Sequence, residues 1–191
     1  MKTMLRLAVL LLFFATFEIG ARYFSQNRFI AMVNQAHIQT QQVLPLDAKK
    51  FIVTHIVDGD TIEGHFESSP NMPQIVRFLG IDTPEIAHSK SGTFQYGGIT
   101  AQAITTHFIE SSNNIVFLSS DKTDKDDYNR LLRHIFLKDG TYVNAAIVCA
   151  GYAQQYIRDV LIQHLRSNIE KCETQAKENQ LGIWNSIAKE W

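Results

Sequence analysis

The sequence is short of the residues that build metal clusters and of charge in either direction. Among 191 residues there are two cysteines, Cys149 and Cys172, and no CxxC pair, which argues against a structural zinc site. No histidine pair has HExxH spacing. Formal net charge is -1, so there is no polycationic tail. Any contact with a polyanion must come from a few placed cations rather than a general field. There is no internal repeat, and no apolar run reaches the roughly 20 residues of a comfortable membrane-spanning helix. What remains is an ordinary globular mixture, 45% hydrophobic and 19% charged, long enough for one compact domain and an extension.

The longest apolar run lies at the start. Met1-Lys2 and Arg6 precede an uninterrupted apolar stretch over 7–17, which Glu18 closes. A positive flank followed by an apolar core is the layout of a secretory signal. Residues 1–21 are therefore expected to be a signal peptide, cleaved near Ile19-Gly20-Ala21, or an uncleaved signal-anchor that holds the protein to a membrane. Either way the protein is expected to be exported: secreted, periplasmic, or anchored with its domain outside the cytoplasm. In an oxidising compartment Cys149 and Cys172 can pair; the alternative is two buried thiols. Residues 22–50, rich in Gln and Asn, read as a polar spacer, with Pro45 ending any helix there.

From residue 51 the texture becomes short and β-branched. Strands are expected over 51–57, 61–66, 74–81, 114–118 and 131–137, with Asp58-Gly59 as a hairpin turn between the first two. Helices are expected over 99–109 and 143–153. A last helix is marked by the apolar stripe Leu161, Leu165, Ile169, Cys172 and Ala176, with Gly182 as its cap. This pattern predicts an α+β domain: a five-stranded OB-type β-barrel with three helices, over 51–191.

The chemistry-bearing residues cluster near strand ends. Asp60 opens the second strand and Asp82 closes the third. Two such carboxylates with a backbone carbonyl and waters suit a hard cation such as Ca²⁺. Arg77 lies between apolar Val76 and Phe78, so it faces away from the core they build. Arg130 precedes the fifth strand. Guanidinium groups meet phosphate oxygens two at a time. Each segment alone has a bland reading: a hairpin at Asp58-Gly59, a loop exit at Thr83-Pro84, a solvent-facing Arg77, and an Arg130 paired with Asp126 or Asp127. The run Asp121 to Asp127 lacks the Gly and Glu of an EF-hand and reads as a solvated acidic loop. His88 reads as a surface-loop residue.

Taken in order, Val57-Asp58-Gly59-Asp60-Thr61-Ile62, Val76-Arg77-Phe78-Leu79-Gly80-Ile81-Asp82-Thr83-Pro84-Glu85, Asp126-Asp127-Tyr128-Asn129-Arg130, Val143-Asn144, Gly151-Tyr152-Ala153 and Leu181-Gly182-Ile183-Trp184 resemble the staphylococcal nuclease (thermonuclease) family over about residues 51 to 187. The resemblance implies calcium-dependent hydrolysis of DNA and RNA phosphodiesters by a monomer. It implies Asp60, Asp82 and the Thr83 carbonyl as calcium ligands and Glu85 as the group that positions or deprotonates water. Arg77 and Arg130 would clamp the phosphate, and Tyr128 would contact substrate beside it. Two positions depart from the family pattern. Asn129 replaces the usual Gly of the Tyr-Gly-Arg turn, which the left-handed tolerance of Asn can accommodate. Asp127 adds a negative charge that weakens the attraction for a polyanion. The rival readings are a catalytically silent OB-type nucleic-acid-binding module and a membrane-tethered interaction module.

Overall fold

The computed structural model of the chain describes residues 26–86, 95–156 and 163–185. The apolar run at 7–17, His88 and Leu161 lie outside them. Among the described residues no helix is long and apolar enough to cross a membrane.

Among the described residues these elements form in chain order. A helix α1 spans 26–39. Strands β1 (Lys49–Ile56), β2 (Thr61–Phe66), β3 (Gln74–Phe78) and β4 (Ile81–Asp82) lead to helix α2 (Gly98–Ser111). Strands β5 (Ile115–Ser119) and β6 (Leu131–Phe136), helix α3 (Val143–Cys149), strand β7 (Gln154–Gln155) and helix α4 (Gln163–Glu178) follow. The five longer strands close a barrel in the order β1-β2-β3-β6-β5, and β4 with β7 makes a separate two-stranded ladder. All barrel pairings are antiparallel except β3 with β6, which is parallel. This is the expected OB-type α+β barrel, with three helices after residue 51 and α1 before it.

Alternation in the strands explains the barrel. Phe51 and Val53 of β1, Val76 and Phe78 of β3, and Val116 and Leu118 of β5 are all buried at every second position. The third expected strand, 74–81, is broken. It stops at Phe78, turns through Gly80 (φ 76°), and restarts as β4 on a different partner. In α2, Ala101, Ile104, Thr105, Phe108 and Ile109 are buried, the i, i+3, i+4, i+7, i+8 stripe of a helix lying on a core. Helix α3 is buried on every side and ends at Cys149 rather than 153. Its Cys149 is bonded to Cys172 of α4. Helix α4 shows Leu165, Ile169, Cys172 and Ala176 inward, as read from the sequence.

Other expectations need correction. Helix α4 is ended by Gln180 in the left-handed region (φ 51°), not by Gly182, which instead opens a 3₁₀ turn over Gly182–Trp184. Lys177 Nζ sits 4.5 Å over the Trp184 ring, so Trp184 folds back against α4. The compact unit carrying the barrel begins at Ala36, within the stretch read as a spacer. Gln42 N–H donates to the Gly140 carbonyl (2.9 Å), and Tyr142 N–H donates to the Thr40 carbonyl (3.0 Å). Residues 40–42 of the polar stretch thus bond to the barrel unit. The aspartates of 121–127 are not simply solvated either. The Asp121 side chain is 4% exposed beside buried His134, while Asp124 pairs with Arg133 and Asp126 with Arg130.

Candidate active site

The site begins with the β1–β2 turn. Asp58 Oδ1 accepts the Asp60 N–H (3.0 Å), the closed loop an aspartate makes with its backbone two residues on. Helix α2 seats this turn: Gln102 Nε2 donates to the Ile56 and Val57 carbonyls, and Thr105 Oγ1 to the Gly59 carbonyl at 2.6 Å. Only glycine fits at 59, because a Cβ there would lie 2.7 Å from that of Ala101. The turn is also tied to β3, since Phe78 N–H donates to the Asp60 carbonyl (2.8 Å).

Arg77 sits opposite Thr61 in the β2–β3 register, one position from Asp60. Its Nη1 lies against Asp60 Oδ2, and its Nη2 is 2.7 Å from Asp82 Oδ1. Asp60 Oδ2 also accepts from Thr83 N–H (2.8 Å) and Thr83 Oγ1 (2.9 Å), while Oδ1 accepts from Thr61 Oγ1 (3.1 Å). Asp82 reaches this place because β4 pairs with β7 and because buried Asn144 holds the strand before it. The Asn144 amide donates to the Leu79 carbonyl (2.9 Å) and accepts from Ile135 N–H (2.9 Å). Arg77, expected to face away from the core, does so, but onto two carboxylates instead of open solvent.

Glu85 follows on the loop after β4. Two bonds from a single residue fix its backbone: Gln95 Oε1 accepts Glu85 N–H (3.0 Å), and Gln95 N–H donates to the Glu85 carbonyl (3.1 Å). Arg130 is placed by Asp126, whose Oδ1 accepts the N–H groups of Tyr128 and Arg130 and whose Oδ2 takes Arg130 Nε at 2.7 Å. Asn129 adopts the left-handed conformation (φ 65°) that the turn requires. The exposed Tyr128 ring lies under the Arg130 guanidinium at 5.6 Å, and Asp127 is exposed.

The charges act on one another. Burial pulls Arg77 down from its ordinary value; Asp82 opposes this, and the like charge of Arg130 adds to it. Arg77 stays cationic, as arginine does in proteins. Burial pushes Glu85 above the ordinary carboxylate range, the Asp58 and Asp82 charges push it further, and Arg77 and Arg130 hold it back. Burial likewise raises Asp58 against the pull of Arg77. Asp60 and Asp82 thus contact Arg77, while Arg130 and Glu85 lie within the same field.

The donor set suits a hard cation. Asp60 and Asp82 offer oxygen only, and a single guanidinium already bridges them, so both carboxylates address one cationic position. Among the described residues no group of three His, Cys, Asp or Glu side chains surrounds such a point, so the rest of a shell would come from backbone carbonyl and water. Thr83 is shown here through its N–H and hydroxyl, which hold Asp60.

Gln95 and Asp58 join the site beyond the residues that the motifs mark. Asp58 was legible as a turn residue, but its charge beside Arg77 was not. Gln95 belongs to no motif, and only folding puts it on Glu85.

The profile of the family described as staphylococcal nuclease homologue matches residues 75–186. An uncharacterized protein of Methanocaldococcus jannaschii is 30% identical over 152 residues, covering 70% of this chain and 70% of that protein. The thermonuclease of Staphylococcus intermedius is 28% identical over 136 residues, 71% of this chain and 76% of that one. Endonuclease YhcR of Bacillus subtilis is 31% identical over 140 residues, 70% of this chain but 11% of that longer protein. The barrel, the placement of its charged side chains and these matches together make the chain a member of the staphylococcal nuclease homologue family.

Proposed function

We propose that the protein is a calcium-dependent nuclease that hydrolyses phosphodiester bonds in DNA, RNA or both. The observation that carries this reading is the meeting of Arg77, Arg130 and Glu85 in one electrostatic field beside Asp60 and Asp82. Two guanidinium groups that feel one another's charge make a place for an anion, and a diester phosphate is an anion with paired oxygens. Attack by water builds further negative charge on those oxygens, which Arg77 and Arg130 would receive. Glu85 is an exposed carboxylate at the edge of that place, free to orient water and accept its proton. Tyr128, beside Arg130, would contact the substrate next to the phosphate.

Asp60, Asp82 and the Thr83 carbonyl would hold Ca²⁺. When bound, the ion supplies Lewis-acid neutralisation of the phosphoryl charge. The protein acts as a monomer outside the cytoplasm, released or held at a membrane through residues 1–21.

The test is digestion of single-stranded DNA and of RNA by the purified full-length protein, in calcium and in excess chelator. Cleavage in calcium that stops with chelator is expected. Binding without cleavage in calcium would replace this reading with a silent nucleic-acid-binding module.

A further inference from the structure

Asp82 stands on a strand that is not part of the barrel. Strand β4 is paired with β7, two residues to a side, Ile81 opposite Gln155 and Asp82 opposite Gln154. Tyr156 N–H donates to the Gly80 carbonyl (2.9 Å) at the head of this ladder. So short a pair is not stable by itself. Asn144 fixes the chain ahead of β4, and beyond that point the place of Asp82 depends on what holds β7.

Helix α4 holds it. In an antiparallel pair alternate N–H groups point away from the partner strand. That of Gln155 does so and donates to Glu173 Oε1 at 2.9 Å. The Glu173 side chain is 17% exposed, and its Oε2 takes Lys177 Nζ at 2.7 Å, so both oxygens are engaged. One residue earlier, Cys172 is bonded to Cys149 at the end of the buried helix α3. The part of α4 that grips β7 is thus also the part that is covalently fixed to the core. We propose that Glu173 is a positioning residue for the calcium site: through β7 and β4 it sets where the Asp82 carboxylate stands. The inference rests on the calcium reading for its ion, and on these contacts alone for the placement.

Glu173 acts on geometry rather than on the ion. Asp82 shares Arg77 with Asp60 across one cationic position, so a shift of β4 separates the two carboxylates that would close on one ion. Groups that orient metal ligands from behind commonly tune affinity by about 10- to 100-fold. Glu173 works through backbone pairing and not on the ligand itself, which puts its effect at the lower end of that range. A role confined to packing α4 would look different. It would lower the stability of the whole domain and leave Asp82 in place in every folded molecule.

Two measurements on the full-length protein test this: amide hydrogen exchange over residues 79–85 without calcium, and calorimetric calcium affinity. Glu173→Ala is expected to speed exchange over 79–85 with β1 and β2 unchanged, and to weaken calcium binding about tenfold. Glu173→Gln, which keeps the oxygen that Gln155 N–H needs, should retain the parent values. Lys177→Ala removes the partner cation alone and should retain them too. Parent-like exchange over 79–85 in Glu173→Ala, a rise spread evenly over the barrel, or calcium bound equally by parent and Glu173→Ala overturns the role. Should Glu173→Ala not fold, Glu173→Asp, which draws the acceptor back by one methylene, carries the same comparison. A parent chain that binds no calcium sinks the calcium reading, and exchange over 79–85 then decides the placement.

Discussion

Asp60 is 4% exposed and Tyr128 is 82% exposed, and that contrast runs through the whole site. One half stands on strands. Asp60, Arg77, Asp82 and Thr83 are tied to one another by ion pairs and hydrogen bonds, Arg77 is held in the barrel by β2–β3 pairing, and Asp82 is held in the separate β4–β7 ladder. The other half, Glu85, Tyr128 and Arg130, stands on loops and is held by one neighbour each, Gln95 or Asp126. Fixed charge is carried by rigid elements, where it costs no reorganisation. Glu85, the group proposed to meet water and move a proton, is exposed at the solvent edge. The strand half should therefore couple activity to stability, while the loop half should separate them.

Arg77→Ala should have the largest effect. It removes the cation from buried Asp60, and breaking such a pair costs about 3–5 kcal/mol, on top of a turnover loss of about 10²-fold or more. Arg130→Ala should match the turnover loss, yet cost at most about 1 kcal/mol, because its pair with Asp126 is partly exposed. Urea unfolding beside initial rates checks this, and equal stability losses would erase the distinction between the halves. Glu85→Gln should lower turnover by about 10²- to 10⁴-fold and leave the unfolding midpoint in place; full activity in the folded variant removes Glu85 from the mechanism.

Replacing Cys149 and Cys172 by Ser should cost about 3 kcal/mol, the closure entropy of a 23-residue separation. That loop contains β7, which supports Asp82 through β4, so the loss should fall on the strand half. The reading is the denaturation midpoint with and without reductant. Asn129→Ala tests the loop half more gently. Forcing alanine into a left-handed position costs about 1 kcal/mol, and Asn129→Gly should not incur that cost.

The smallest effect concerns Asp126. Burial alone would raise it, but the Arg130 N–H, the Arg130 side chain and charge, and the Tyr128 N–H together depress it. A depressed carboxylate contributes stability above its unfolded value and loses it as pH falls through the folded one. Asp126→Asn should therefore be slightly less stable than the parent at neutral pH, with the deficit vanishing in acid. A deficit independent of pH would mean that packing, not charge, anchors Arg130.

The strand half was the more legible in the sequence. Alternation put Val76 and Phe78 inward and Arg77 outward, and hairpin chemistry placed Asp60 at the head of β2. The aspartate turn at 58 and the left-handed Asn129 followed from what those side chains tolerate. Features built from tertiary contact were hidden. The ladder of β4 and β7 has two residues a side, too few for any period to show. Asp121 looked like one more solvated acid until folding buried it beside His134. Gln95 lies ten residues from Glu85 with no local pattern joining them. Nothing in the polar composition of 36–42 announced that these residues would join the sheet region at Thr141.

That junction sets where the domain can be held. Thr40 and Gln42 fasten beyond the end of β6, by Gly140 and Tyr142, whereas Arg130 stands immediately before its start. The two ends of this six-residue strand are about 20 Å apart. The bonds of Thr40 and Gln42 thus lie at the other end of β6 from Arg130. Trimming the chain back to Phe51 would strip the partners from Gly140 and Tyr142 and fray the far rim of the barrel.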